Sequence, residues 1–305
     1  MSIPRRHHYL PIFYIERWAR DGEVYRYVRP RGKDGNLDCR RKPCSAVGYA
    51  PDLYQLPDLE GQAESQSLEL NFFQRVDDRA ATALMRLDRG ERGSAGDRIA
   101  LSQFVISLLH RSPSRLKAIQ SELAKVTEQA PYRDLEGAEL DTALKSATNR
   151  LLASLVESQE GIEIVNKFKA FRVEVNGAKK KLITSDRPVT LSSQLIANDA
   201  FMILPYAPDR LLILAHKNEV ASAFSNQKPD ILVAGINRAI VEQSEDMVIA
   251  ADNSATPMID EFFLRSTSEV IRDPLGYVRR SSPLVDLSPK ARTFSWRDKI
   301  GMRYL

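Results

Sequence analysis

The sequence predicts an α+β protein, with a helical N-terminal half packed with a mainly antiparallel sheet from the C-terminal half. Three observations carry that expectation. Apolar side chains recur at helical spacing between residues 62 and 160. From about residue 168 to 215 the chain switches to short runs rich in β-formers, bounded by turn residues. A composition of 43% hydrophobic and 28% charged residues over 305 positions suits a single domain, 1–305, with an N-terminal lobe over 1–160 and a sheet-containing lobe over 161–305.

Taken in order, residues 9–18 are dense in aromatics and are followed by Asp21-Gly22, a turn signal that leads into a strand over 23–28. Residues 29–57 carry repeated Pro and Gly without a sustained period and read as loop. Leu68, Phe72, Val76 and Ala80 then mark an amphipathic helix over 62–89. A second helix over 97–110 is apolar all round and should be central. Ser112-Pro113 supplies an N-cap and a first-turn proline for a third helix, and a fourth runs over 134–160.

Beyond Gly161 the pattern becomes that of strands. Residues 168–175 alternate, and Asn176-Gly177 predicts a hairpin turn into 180–184. Two apolar runs, 201–205 and 210–215, flank Ala207-Pro208-Asp209 as a second hairpin. A helix over 229–244 and a polar, Pro-bearing tail complete the expectation.

The longest apolar stretches are far shorter than the roughly 20 residues of a membrane helix, so no membrane span is expected. The start has basic residues without the apolar stretch of a secretory signal. Cys39 and Cys44 would close only a small ring, which fits a reducing, cytoplasmic compartment. The net charge of +4 is small, but residues 1–45 hold 11 Lys/Arg against 5 Asp/Glu. That positive front suits phosphate-bearing partners, nucleic acid or nucleotide, and equally suits a solvated surface.

The opening His7-His8-Tyr9-Leu10-Pro11-Ile12-Phe13-Tyr14-Ile15-Glu16-Arg17-Trp18 resembles the signature of a bacterial family catalogued as domain of unknown function 4238. Arg111-Ser112-Pro113, residues 183–189 around Thr184-Ser185-Asp186-Arg187-Pro188, and Ile236-Asn237 resemble the same family, so the likeness spans roughly residues 6–250. The resemblance implies one folded unit and brings no activity with it.

Six residues are candidates for chemistry. His7 and His8, adjacent in an extended segment, point to opposite faces; one could act as general acid/base or phosphate ligand, or be a satisfied structural imidazole. Asp186, in a loop after a strand, could be a base or metal ligand, though the turn chemistry of an Asx-turn fully accounts for these residue types and is the favoured reading. Arg17 and Arg111 read as anion binders or as ion-pair and helix-end residues. Asn237 falls within the apolar stripe of Val233, Ile236, Ile240 and Val241, so its amide must find a core or ligand partner.

Phosphate-loop, dinucleotide, nucleophile-elbow and His-Glu-x-x-His patterns are absent from the sequence. A zinc site from His7, His8, Cys39 and Cys44 has the right ligand types. Its Cys-x4-Cys spacing is loose, and adjacent histidines seldom chelate one ion. Two classes therefore stand. One is a phosphodiester- or nucleotide-directed hydrolase, nuclease-like, using a His/Asp/Arg/Asn cleft with a divalent metal as possible cofactor. The other is a non-enzymatic interaction or regulatory module in which the same residues form a structural polar core.

Overall fold

The computed structural model describes residues 5–57, 66–127, 136–192 and 200–264. In chain order the elements are β1 (Arg6–His8), α1 (Ile12–Ile15), β2 (Glu23–Val28), β3 (Asp38–Pro43), β4 (Tyr49–Pro51), a π-helix (Leu68–Phe73), α2 (Gln74–Asp88) and α3 (Ala95–His110). Then come α4 (Pro113–Thr127), α5 (Gly137–Glu157), α6 (Gln159–Asn166), β5 (Lys169–Glu174), β6 (Thr184–Ser185), β7 (Thr190–Leu191), β8 (Phe201–Ala207) and β9 (Arg210–Ala215). The described chain finishes with α7 (Asn218–Ser225), α8 (Pro229–Gln243), β10 (Val248–Ala250) and α9 (Thr256–Phe262). The protein is thus mixed α+β with antiparallel sheets.

It divides into two compact units. The described part of the first comprises residues 5–7, 50–57, 66–127 and 136–164 and is mainly helical. Ser94 starts α3 with a capping box: its Oγ accepts the Asp97 N–H at 3.1 Å, and Asp97 accepts the Ser94 N–H at 2.8 Å. Apolar on every face, α3 buries Leu101, Phe104, Val105, Ile106 and Leu108, and it packs on α2 and α5. Pro113 begins α4, as Ser112-Pro113 predicts. The helix expected over 62–89 is α2 preceded by the π-helix, and residues 58–65 lie outside the described residues.

The described part of the second unit comprises residues 8–49, 165–192 and 200–264 and holds two antiparallel four-stranded sheets, ordered β3-β2-β10-β6 and β5-β9-β8-β7. Its apolar core joins Tyr27 and Val248 of the first sheet to Val173, Ile203, Leu211 and Ile213 of the second and to Ile236 and Ile240 of α8.

Several expectations are corrected. Residues 29–57 are not all loop: β3 pairs with β2 over its whole length, from Glu23↔Pro43 to Val28↔Asp38. Its Asp-Cys-Arg-Arg-Lys-Pro sequence hid it, because an edge strand can be charged and needs no apolar alternation. The 168–175 strand does not fold back onto 180–184. The Asn176-Gly177 turn forms, with Gly177 at φ +85°, but β5 pairs with β9. The exposed Lys179, Lys180 and Lys181 offer no apolar face, whereas Leu211–Ala215 does. Residues 161–166 are helical, not extended, and the tail expected after residue 244 contains β10, an inner strand of its sheet. The hairpin of β8 and β9 and the helix α8 are as the sequence predicts.

Candidate functional site

Residues 182–189 in the second unit are buried, yet only Thr184 and Ser185 join a ladder, against β10. Buried backbone polar groups outside a ladder need other partners. Side chains supply many of them. Trp18 donates its indole N–H to Leu182 O at 2.9 Å. Asn237 donates Nδ2 to Lys181 O at 2.8 Å, and its Oδ1 accepts the Ile183 N–H at 3.0 Å. The Tyr14 hydroxyl donates to Pro205 O at 2.6 Å and lies 2.7 Å from Thr184 Oγ1. A carbonyl can only accept, so the Thr184 hydroxyl donates to Tyr14. Gln243 Nε2 donates to both Arg187 O and Val189 O.

Asp186 is 1% exposed, and its carboxylate accepts the backbone N–H groups of Glu245 and Met247, each at 3.2 Å from the nearer oxygen. These bonds tie the segment to the turn between α8 and β10. The local turn is made by Ser185, whose Oγ accepts the Arg187 N–H at 3.1 Å, rather than by the Asx-turn that Asp186 could form. Arg187 pairs with Glu245 at 2.7 Å. Burial, with the Asp246 charge adding to it, raises the Asp186 pKa to about 7, against the opposing pull of the backbone donors and Arg187.

In the first unit a similar set of bonds surrounds Tyr54. Its backbone N–H donates to His7 Nδ1 at 2.9 Å, its ring stacks on His7 at 5.7 Å, and its hydroxyl donates to Arg111 O at 3.2 Å. Asn149 on α5 donates Nδ2 to Leu53 O and Gln55 O at 3.1 and 2.8 Å. Arg111 follows α3, is fully buried, and pairs with Asp77 at 2.9 Å, its guanidinium beside the Phe73 and Phe104 rings. Burial raises the Asp77 pKa to about 6, although Arg111 pulls the other way.

His7 and Arg111 therefore meet through Tyr54 in one unit, and Asp186 and Asn237 hold the same buried segment in the other. His8 belongs to the second unit and lies against Tyr49, with ring centroids 5.7 Å apart. Arg17 lies over the Tyr206 ring at 5.2 Å. Cys39 and Cys44 are free thiols. Among the described residues no group of three or more His, Cys, Asp or Glu is placed to hold a metal ion, and no helix is long and apolar enough to cross a membrane.

Sequence reasoning missed Tyr54, Asn149, Asp77 and Gln243. Each sits in a helix or loop whose pattern its residue type does not disturb. For Asn149 a signal existed: like Asn237, it is an amide on a buried helix face.

These observations define a mixed α+β protein whose buried irregular segments are held by side-chain bonds to backbone groups. The chain belongs to the family described as protein of unknown function (DUF4238), which matches residues 6–254. No curated protein and no solved structure matches it.

Proposed function

We propose that this chain is a non-enzymatic interaction or regulatory module, in which the residues of the family resemblance serve as a structural polar core. One observation supports this reading above the others. Both amide atoms of Asn237 and the carboxylate of Asp186 are engaged by backbone groups of residues 181–183 and 245–247. His7, Tyr14, Trp18 and Arg111 likewise engage protein partners, so each of these residues has a structural reason to be where it is. The two free thiols fit a reducing cytoplasm as its location. The test compares stability with turnover: single substitutions at Asp186 and Asn237 should lower the melting temperature. Turnover of a nucleotide or nucleic acid that those substitutions abolish without altering the melt would reject the module.

A second reading rests on Asp186, a buried carboxyl brought to about 7, where it exchanges protons at neutral pH. In a phosphodiester- or nucleotide-directed hydrolase, nuclease-like, it would act with His8, of the same unit, as acid and base. Arg17 and Asn237, also of that unit, would bind the substrate, with a divalent metal as cofactor. Cleavage assays on nucleic acids and nucleotides, with and without magnesium or manganese, test it. Absence of metal-dependent or metal-independent turnover would remove it.

A further inference from the structure

β2 and β3 pair in a register that sets Arg26 directly opposite Arg40. Side chains alternate along a strand, so Asp38, Arg40 and Lys42 share the face that carries Arg26. Like charges directly opposite one another repel, and here a carboxylate offsets them in part. Asp38 lies 2.8 Å from Arg40 and 3.8 Å from Arg26. Among the described residues Arg26 and Arg40 pair with no other carboxylate, and Lys42 pairs with none. Three cations against one carboxylate leave this face with an excess of two positive charges. The excess is open to solvent, because β3 is the outermost strand of its sheet and the Arg40 side chain is 65% exposed.

Charge without an apolar anchor selects the partner. A protein or peptide partner is held mainly by side chains seated in pockets. On this face the apolar neighbours of the cations, Val24 opposite Lys42 and Ile249 opposite Arg26, are buried. A sugar-phosphate backbone needs only cations placed along its path. Arg40 and Lys42, two residues apart on an antiparallel strand, stand about 6.8 Å apart along it, close to the separation of successive phosphates in an extended nucleic-acid strand. Arginine forks, moreover, match phosphate oxygens. We propose that the face of β2 and β3 bearing Arg26, Arg40 and Lys42 binds the phosphate backbone of nucleic acid without reading its sequence. A nucleic-acid partner presupposes the interaction module, yet failure of binding would leave the stability test at Asp186 and Asn237 as it stands.

Fluorescence anisotropy of the full chain with labelled single- and double-stranded DNA of mixed sequence, in EDTA to silence metal-dependent cleavage, tests the site. Binding should weaken steeply as salt rises. Arg40→Gln and Lys42→Gln should each lower the slope of log Kd against log salt by about one. The two together should weaken binding about tenfold or more in about 0.1 M salt, in a chain that melts as the wild type does. Lys217→Gln with Lys228→Gln removes the same charge at exposed positions elsewhere in the unit and should bind as the wild type. No binding of either DNA at low salt, equal losses in the two double variants, or tighter binding of polyglutamate than of DNA would overturn the proposal. If the Arg40 and Lys42 double variant does not fold, Lys42→Gln alone decides, since Lys42 has no ion-pair partner to lose.

Discussion

Asn237 and Ile183, 54 positions apart, are joined by a hydrogen bond from the Ile183 backbone N–H to the Asn237 side-chain oxygen at 3.0 Å. The other end of the same amide holds Lys181 O at 2.8 Å, so one side chain on α8 satisfies two backbone groups of an extended stretch. No apolar residue can do this, and a carboxylate can do only half of it.

Asn237→Leu keeps the volume but leaves the buried Ile183 N–H and the part-buried Lys181 O without this partner. It should cost about 1–3 kcal/mol, chiefly from the unsatisfied Ile183 N–H. Asn237→Asp should be no better, since aspartate cannot donate to Lys181 O while ionised. Chemical denaturation of the three proteins checks this, and a Leu variant as stable as the wild type would contradict it.

Arg111 and Asp77 form a pair whose cation is fully buried. Arg111→Met leaves Asp77 buried without this partner, and Asp77→Leu takes the carboxylate away from the buried guanidinium. Each should cost about 3–5 kcal/mol. The double variant should be more stable than the sum of the single losses predicts, because it removes both charges together. A double-mutant cycle measured by denaturation supplies the number, and strict additivity would argue against a direct pair.

Asp186 makes stability depend on pH. Its folded pKa of about 7 lies above the roughly 3.9 of an unfolded aspartate, so between those values the folded state holds a proton that the unfolded state has lost. Its contribution is complete below about pH 4 and declines as pH rises towards 7. His110 acts oppositely: burial, aided by the Arg115 charge, lowers its pKa to about 3, so its contribution grows as pH rises from about 3 to 6.5. Melting curves from pH 4 to 8 should therefore lose their decline near neutrality in Asp186→Asn. In His110→Gln they should lose the acid-side rise. Unchanged profiles would show that neither group titrates as its burial requires.

Tyr14→Phe removes one hydroxyl that donates to Pro205 O and accepts from Thr184. A loss of about 1–3 kcal/mol is expected, with Thr184→Val partly redundant in the same background. A neutral Tyr14→Phe variant would mean that these buried groups find other partners.

Most of the long elements were legible in the sequence because their periodicity and caps act locally. The apolar α3, the proline start of α4, the β8 and β9 hairpin and α8 follow from residues next to one another. What was not legible depends on partners far along the chain. β3 is a charged edge strand whose identity rests on its pairing with β2. β5 passes over a good Asn-Gly turn because the leucine-rich β9 buries more than Lys179–Lys181 can. Asn237 was legible as a buried amide in need of a partner, but Lys181 and Ile183 could not be named without the fold. For Asp186, local turn chemistry pointed to its own backbone, and Ser185 took that role while Asp186 reached Glu245 and Met247.

Residue-resolved hydrogen exchange on the wild type and on Asn237→Ala tests the central claim most directly. If signature side chains hold residues 181–189 on either side of the two-residue ladder at Thr184 and Ser185, the amide of Ile183 is protected in the wild type. In the variant, protection should fall through 182–187 while the amides of α3 and β9 stay protected. Protection across that segment that is indifferent to Asn237, or lost equally everywhere, would contradict the account.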